Sequence, residues 1–411
     1  MPEPGESSAS RLAGRLVLVV LLVVLGSWLV YPFVVADRPA ADAIPFVVAG
    51  ELVSSHPNDV YLRAPYGLQD ISPLFRERSC PFFDSGTSCD AAVGYVSPPL
   101  ALPLARGLAT MGDAGTTLMA LFGAAALAAG VALLYFSLPD RSVRDGALLV
   151  LSAALLWPLL ERAVVLGQTS PALFLAVVGP PIMWRWTRAR PWMEVAIGVA
   201  FGVLASLKGF PLLLLLVPLL SRRWRTLVPA LATVAFLLVA TVVIAPLSVW
   251  GDFLRASSGL SKQALSNNPY NGSIEAALGH LGWEVGAAPV IRIVLIAAVV
   301  VLVGLVKEPA SRWAIAWIGI ITVFPQVWSH YAFVGVAAVA VVVLGRSDRA
   351  QWMPALPLAS ALTIAPAALA FTPGRLAVAV VVVNLSCLLL TAVVALAPVT
   401  SEPADEVVEL A

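Results

Sequence analysis

Four ionisable side chains stand out because the chain around them is largely apolar: Asp42, Arg162, Lys208 and His330. Asp42 follows the first apolar run by a few residues. A carboxylate of ordinary pKa, about 3.9, is ionised at neutral pH, and at hydrogen-bond distance it could take the proton of an attacking hydroxyl. An aspartate there would equally cap a short helix starting at Ala43 and Ile44, and on this residue alone capping is the simpler reading. Lys208 interrupts residues 198–220, which otherwise carry no charge. An ammonium at a helix end in lipid must be paired or solvated; it suits a phosphate as a compact point charge, or it snorkels to the interface. Gly209 and Pro211 favour a broken backbone beside it.

The remaining candidates are weaker singly. Glu161 and Arg162 precede Gly167, Gln168 and Thr169, and a local ion pair at a helix end would explain them as well. His330 stands among Trp328, Ser329 and Tyr331. It could donate to a phosphate or shuttle a proton, or simply belong to an interfacial aromatic belt. Asn267, Asn268, Asn271 and Ser273 form a polar cluster of a kind that usually makes turns. No glycine-rich phosphate loop, Cys-x-x-Cys pair or His-Glu-x-x-His motif occurs, so no cofactor and no metal are expected.

These side chains must be held by membrane helices. Of 411 residues, 60% are hydrophobic and 12% charged, where a soluble domain carries about 25% charged residues. Apolar runs between charged punctuation predict helices at about 14–35, 114–137, 146–160, 170–186, 193–207, 210–221, 226–249, 288–306, 313–328, 331–345, 353–371 and 376–397. The expected fold is an all-α polytopic membrane protein of about 11–12 spans. Several runs are short, so those around Lys208 and His330 are expected to be kinked or re-entrant. The first run follows Arg11 and Arg15 and is longer than a secretory apolar region, so it reads as an uncleaved first helix. The net charge of +1 argues against a nucleic-acid partner.

Arginines and lysines set the orientation. Arg141 and Arg144, then Arg185, Arg188 and Arg190, then Arg222, Arg223 and Arg225, then Lys307 and Arg312, then Arg346 and Arg349 all fall on the same side as Arg11 and Arg15. That side is predicted to be cytoplasmic, which makes 398–411 a cytoplasmic tail of a single integral membrane domain, 1–411. Two long segments, 36–98 and 250–288, then lie outside. The stretch 44–53 reads as an amphipathic helix lying at the membrane surface. Cys80 and Cys89 are close in the first outer segment and are expected to form a disulfide, with two free thiols as the alternative, while Cys387 sits in an apolar run. No internal repeat is visible, which weakens a transporter built on symmetric halves.

Taken in order, the polar stretches resemble the glycosyltransferase 87 family, polytopic GT-C-type enzymes of actinobacteria that use polyprenyl-phosphate sugars. Asp42-Ala-Ile-Pro-Phe and His56-Pro-Asn-Asp-Val-Tyr61 come first, then Tyr95-Val-Ser-Pro-Pro99 and Leu166-Gly-Gln168-Thr-Ser. Leu207-Lys208-Gly-Phe-Pro211 and Arg222-Arg-Trp-Arg225 follow, then Asn271-Gly-Ser273 and Trp328-Ser-His330-Tyr. Each motif is short; their order over about residues 40–345 carries the resemblance. The family often has an aspartate where Ser329 stands.

The resemblance implies an inverting transfer of a sugar, mannose above all, from a polyprenyl-phosphate carrier to a glycolipid or glycan acceptor outside the cell membrane. The family's best-known members are alpha-1,2-mannosyltransferases, which this chain resembles; polyprenyl-phosphate-arabinose-dependent arabinofuranosyltransferases are the related alternative. By the same resemblance Asp42 is the catalytic base, Lys208, Arg162 and His330 face the donor phosphate, and Gln168, Tyr61, Asn271 and Ser273 are weaker candidates for substrate contact. Two readings of other classes stay open: a lipid or sugar transporter or flippase, and a non-catalytic envelope-assembly subunit. A shared outward cavity for Asp42, Lys208 and His330 would favour the enzyme; a polar path to the inner side would favour the transporter.

Overall fold

The computed structural model describes residues 8–35, 42–65, 67–83, 92–138, 142–186, 191–267, 271–325, 327–369 and 375–398. The chain begins with α1 (Ser8–Val34), then enters the first long segment through α2 (Ile44–Leu52) and α3 (Pro73–Ser79). It continues as α4 (Leu102–Ala109), α5 (Asp113–Phe136), α6 (Val143–Leu155), α7 (Trp157–Val165), α8 (Pro171–Trp186) and α9 (Trp192–Lys208). A tight turn of helix over Phe210–Leu215 leads to α10 (Leu216–Leu220), α11 (Trp224–Ile244), α12 (Ser248–Asn267) and α13 (Ile274–His280). The last third holds α14 (Ala288–Leu305), α15 (Pro309–Val323), α16 (Ala332–Gly345), α17 (Arg349–Trp352), α18 (Ala355–Leu362), α19 (Ile364–Ala368) and α20 (Arg375–Leu396). Among the described residues there is no strand, only an isolated bridge between Tyr61 and Tyr95. Six helical stretches are long and apolar enough to cross a bilayer, among them Leu12–Val34, Asp113–Phe136 and Arg375–Leu396. The chain is an all-α polytopic membrane protein.

The helix boundaries follow local chemistry. The run expected at 226–249 stops at Ile244, because Ala245 precedes Pro246 and takes an extended conformation. The run expected at 146–160 divides at Leu156, just before Pro158, into α6 and α7. α9 ends at Lys208, where Gly209 adopts φ +74° and donates to the Ala205 carbonyl over 2.8 Å. The run expected at 313–328 ends at Val323 as α15, and the stretch 324–331 that leads to α16 closes with a tight helical turn over Ser329–Tyr331.

Small residues let the helices approach. A Cβ on Gly198 would lie 2.3 Å from the Thr226 carbonyl oxygen, and one on Gly202 2.7 Å from that of Ala230, so α9 and α11 meet backbone to backbone. α16 lies at the centre: every residue from Ala332 to Leu344 is buried, against α8, α15, α18 and α20. At its far end the Arg346 guanidinium pairs with Asp348 and donates to the Val394 and Ala397 carbonyls at 2.8 and 2.7 Å, tying α16 to the end of α20.

The stretch predicted as a surface-lying amphipathic helix is instead buried. α2 forms where expected, but Ile44, Pro45, Phe46, Val47, Val48, Ala49, Gly50 and Leu52 are all covered. A helix apolar on every side has no face to leave in water, and Glu51 alone is exposed. α4 covers it so closely that a Cβ on Gly50 would fall 2.2 Å from the Ala105 carbonyl oxygen. The second long segment is largely helical, as α12 and α13. α12 reaches the first, where Phe253 packs on Tyr61 with ring centres 5.8 Å apart. Cys80 is disulfide-bonded and Cys387 is a free buried thiol. Cys89, the expected partner of Cys80, lies outside the described residues, as does nearly all of the expected tail 398–411.

Candidate active site

A cavity of about 580 Å³ opens where α2, the ends of α7 and α9, α12 and the 324–331 segment converge. Asp42, Arg162, Gln168, Lys208 and His330, drawn from four separate stretches of sequence, all line it. Tyr95, Phe253, Trp328, Tyr331 and Leu376 supply much of its aromatic and apolar wall.

Each polar group is placed by a nearby chain reversal. The Asp42 backbone N–H donates to the Leu166 carbonyl at 2.9 Å, which fixes the start of the first long segment against the end of α7. α7 itself is closed by Gly167 at φ +68°. Gly167 N–H reaches the Val164 carbonyl (2.9 Å) and Gln168 N–H that of Ala163 (2.8 Å), a double bond pattern that only a left-handed residue permits. Gln168 thereby projects beside Asp42, and its Nε2 donates to Asp42 Oδ2. The Gln168 Oε1 accepts from Lys208 Nζ at 3.5 Å and from Ser170 Oγ at 3.3 Å. The Lys208 ammonium also lies 5.5 Å from the centre of the Tyr331 ring.

Asp42 does not cap α2. The capping position is Ala43, with no side-chain bond to the helix, and the Asp42 carboxylate turns to Gln168 instead. Burial raises the Asp42 pKa above its ordinary 3.8; the Gln168 hydrogen bond and the charges of Lys208 and Arg162 hold the rise in check. A carboxylate so placed is a stronger base than one in water.

His330 is 5% exposed, and its Nε2 has no hydrogen-bond partner among the described residues. Its ring meets Tyr331 edge to face at 5.0 Å. Burial, and after it the charges of Lys208 and Arg162, push its pKa well below the usual imidazole value, so the ring enters as a neutral hydrogen-bonding group, not as a third cation. Glu161, next to Arg162, points elsewhere and accepts from Tyr31 Oη at 3.1 Å.

Three expected contact residues stand outside the cavity wall. Tyr61 is buried, donates to the Ser97 carbonyl at 3.1 Å and packs against Tyr95. Asn271 donates from Nδ2 to Ser273 Oγ (2.9 Å) and to the Pro325 carbonyl (3.1 Å), and its Oδ1 accepts from Val327 N–H at 2.9 Å. Ser273 caps α13, accepting from Ala276 N–H at 3.3 Å. Asn271, backed by Ser273, holds the 324–331 segment that carries His330. Conversely, Tyr331, Phe253 and Leu376 line the cavity and were not candidates. Only Tyr331 had a signal, as the residue after His330.

The fold and this cavity define a membrane-embedded protein that sets a buried carboxylate beside cations at one end of its helices. The profile of glycosyltransferase family 87 matches residues 95–324, more than half of the chain. The chain belongs to glycosyltransferase family 87, and it is therefore a glycosyltransferase with a sugar donor and an acceptor as substrates. No curated protein and no solved structure matches it.

Proposed function

We propose that this transferase moves a sugar, mannose first, from a polyprenyl-phosphate carrier to a hydroxyl of a glycolipid or glycan acceptor, at the outer face of the cytoplasmic membrane. The observation that carries the reading is the meeting of Asp42, Lys208, Arg162 and His330 in one cavity, with Gln168 joining the carboxylate to the ammonium. The acceptor hydroxyl gives its proton to Asp42 as its oxygen attacks the anomeric carbon. The bond from that carbon to the phosphate oxygen breaks on the opposite face, and its electron pair leaves with the lipid phosphate. One displacement inverts the anomeric centre. Lys208 and Arg162 meet the charge that grows on the leaving phosphate, an interaction worth most where water is excluded. Neutral His330 offers a hydrogen bond from its Nε2, which has no partner among the described residues.

The membrane setting suits such a donor, because the lipid tail can stay in the bilayer throughout. The outer placement rests on the basic segments: Lys208 closes α9 a helix length away from the arginines that precede Trp192. A transporter would need a polar path onward through the bundle. Toward the arginine-rich end Trp184, Phe201, Trp313 and Trp317 instead pack ring against ring.

The test is to incubate the purified protein in lipid nanodiscs with polyprenyl-phosphate mannose or polyprenyl-phosphate arabinose and a membrane lipid extract, and to follow label transfer. Transfer from the mannose donor is expected. Transfer from the arabinose donor alone would assign the pentose, and transfer from neither would remove the lipid-phosphate donor class.

A further inference from the structure

Gln168 was expected to touch substrate, yet both ends of its amide are engaged within the protein. A carboxylate can only accept and an ammonium can only donate, so the polarity of the bridge is fixed: the NH₂ faces Asp42 and the carbonyl faces Lys208. Its backbone is held from two sides. Gly167 and the end of α7 set it from below, and α8 begins three residues later at Pro171. α5 comes so near that a Cβ on Gly123 would lie 2.8 Å from the Gln168 carbonyl oxygen.

Without that amide, opposite charges in a cavity sheltered from water would attract each other directly. Contact with the ammonium would weaken Asp42 as a base and would occupy the cation that the donor phosphate needs. A neutral amide aligned between them stabilises both charges and leaves each free to act. Asp42 Oδ2 is taken by Gln168, so Oδ1 is the oxygen left to receive the acceptor proton.

We infer that Gln168 is a positioning residue that keeps Asp42 available as the base by standing between its carboxylate and the Lys208 ammonium. The inference rests on the assignment of Asp42 as the base. A glutamate at this position has the same shape but only accepts, so it would repel Asp42 and pair with Lys208. The other titratable groups lining the cavity, Tyr95, Arg162, His330 and Tyr331, are unchanged by that substitution.

The experiment measures kcat against pH for the parent, Gln168→Glu and Gln168→Met, and repeats Gln168→Met in an Asp42→Asn background, using labelled donor and long incubations. Melting of each variant checks that the fold is retained. Gln168→Met should lower kcat by about tenfold or more, the scale of one lost hydrogen bond to a charged group. Gln168→Glu should move the acid limb of the profile to higher pH, since a like charge beside Asp42 raises its pKa. In the Asp42→Asn background, Gln168→Met should cost less than about twofold, because two residues acting through one group are not additive. An acid limb unmoved by Gln168→Glu overturns the inference. So does a Gln168→Met loss that persists in full without Asp42, the mark of a direct substrate contact. If Asp42→Asn alone leaves turnover within about threefold of the parent, the base assignment fails, and this inference falls with it.

Discussion

Two polar clusters, both suspected of touching substrate, turn out to be built on opposite plans. Around Asp42, hydrogen-bonding capacity is left over: one carboxylate oxygen is held by Gln168, and among the described residues His330 Nε2 has no partner and Lys208 is held at 3.5 Å and across a ring face. Around Asn271 nothing is left over. Its amide meets Ser273, Pro325 and Val327, and Ser273 caps α13 in turn. A buried polar group whose bonds are all made inside the protein is a fastener, and one with bonds to spare is available to a ligand. Residue type alone cannot separate the two.

The sharpest way to break this comparison is Asp42→Asn. The asparagine carbonyl can accept the same Gln168 bond, so the cluster keeps its packing and melting should hardly move. Turnover should fall by about 10²–10⁴-fold while the donor still binds, since only the proton acceptor is gone. The pH profile of the parent carries the same information. The folded-state pKa of Asp42 lies above 3.8, the base form exists above that raised value, and kcat should be lost as pH falls through it. A parent profile flat down to the ordinary carboxylate range would contradict the assignment.

Next in size is Lys208→Ala, which should weaken donor binding by roughly 10–100-fold, the worth of a charge-assisted hydrogen bond to phosphate. Titration with polyprenyl phosphate reads this directly, and unchanged affinity would mean that Lys208 merely snorkels. Asn271→Ala reverses the pattern. It leaves Val327 N–H and the Pro325 carbonyl without their partner, so stability should drop by about 2 kcal/mol. Turnover at a temperature where the variant is folded should fall only modestly, through a looser 324–331 segment. If it instead loses turnover on the scale of Asp42→Asn with its melting intact, the fastener assignment is wrong.

Much of this was written in the sequence, for reasons that are local. Gly209 ends α9 after Lys208, the proline after Ala245 ends α11, and uncharged runs mark the spans, because each signal acts within a few residues of its cause. The burial of α2 was within reach too, since 44–53 holds only Glu51 as a charged residue and so lacks a polar face. What could not be read is pairing over distance. Asp42 and Gln168 are 126 residues apart, and Asn271 meets Val327 across 56. Each becomes meaningful only when the helices have packed. Tyr61 shows the converse: a tyrosine at the expected place in a motif, used to brace Tyr95 and Ser97 rather than to face the cavity.

Ser273→Ala is the smallest effect and the finest test of the same contrast. The hydroxyl accepts from Ala276 N–H as the cap of α13 and also receives the Asn271 amide. Its loss removes a helix cap, typically about 1 kcal/mol, and takes one acceptor from Asn271 Nδ2, which keeps its bond to the Pro325 carbonyl. α13 is only seven residues long, Ile274–His280, so an unravelled first turn is a large part of it. Yet α13 is also held by Glu275, which pairs with Arg292 of α14, and by its packing on α20. The helix should therefore stay folded and the cost stay near that of the cap. kcat and donor affinity should remain within about twofold of the parent, because no atom of Ser273 borders the cavity. A melting shift without a kinetic one places Ser273 with the fasteners. A rise in KM with melting unchanged would instead return it to the substrate-contacting set and show that the second long segment reaches the acceptor.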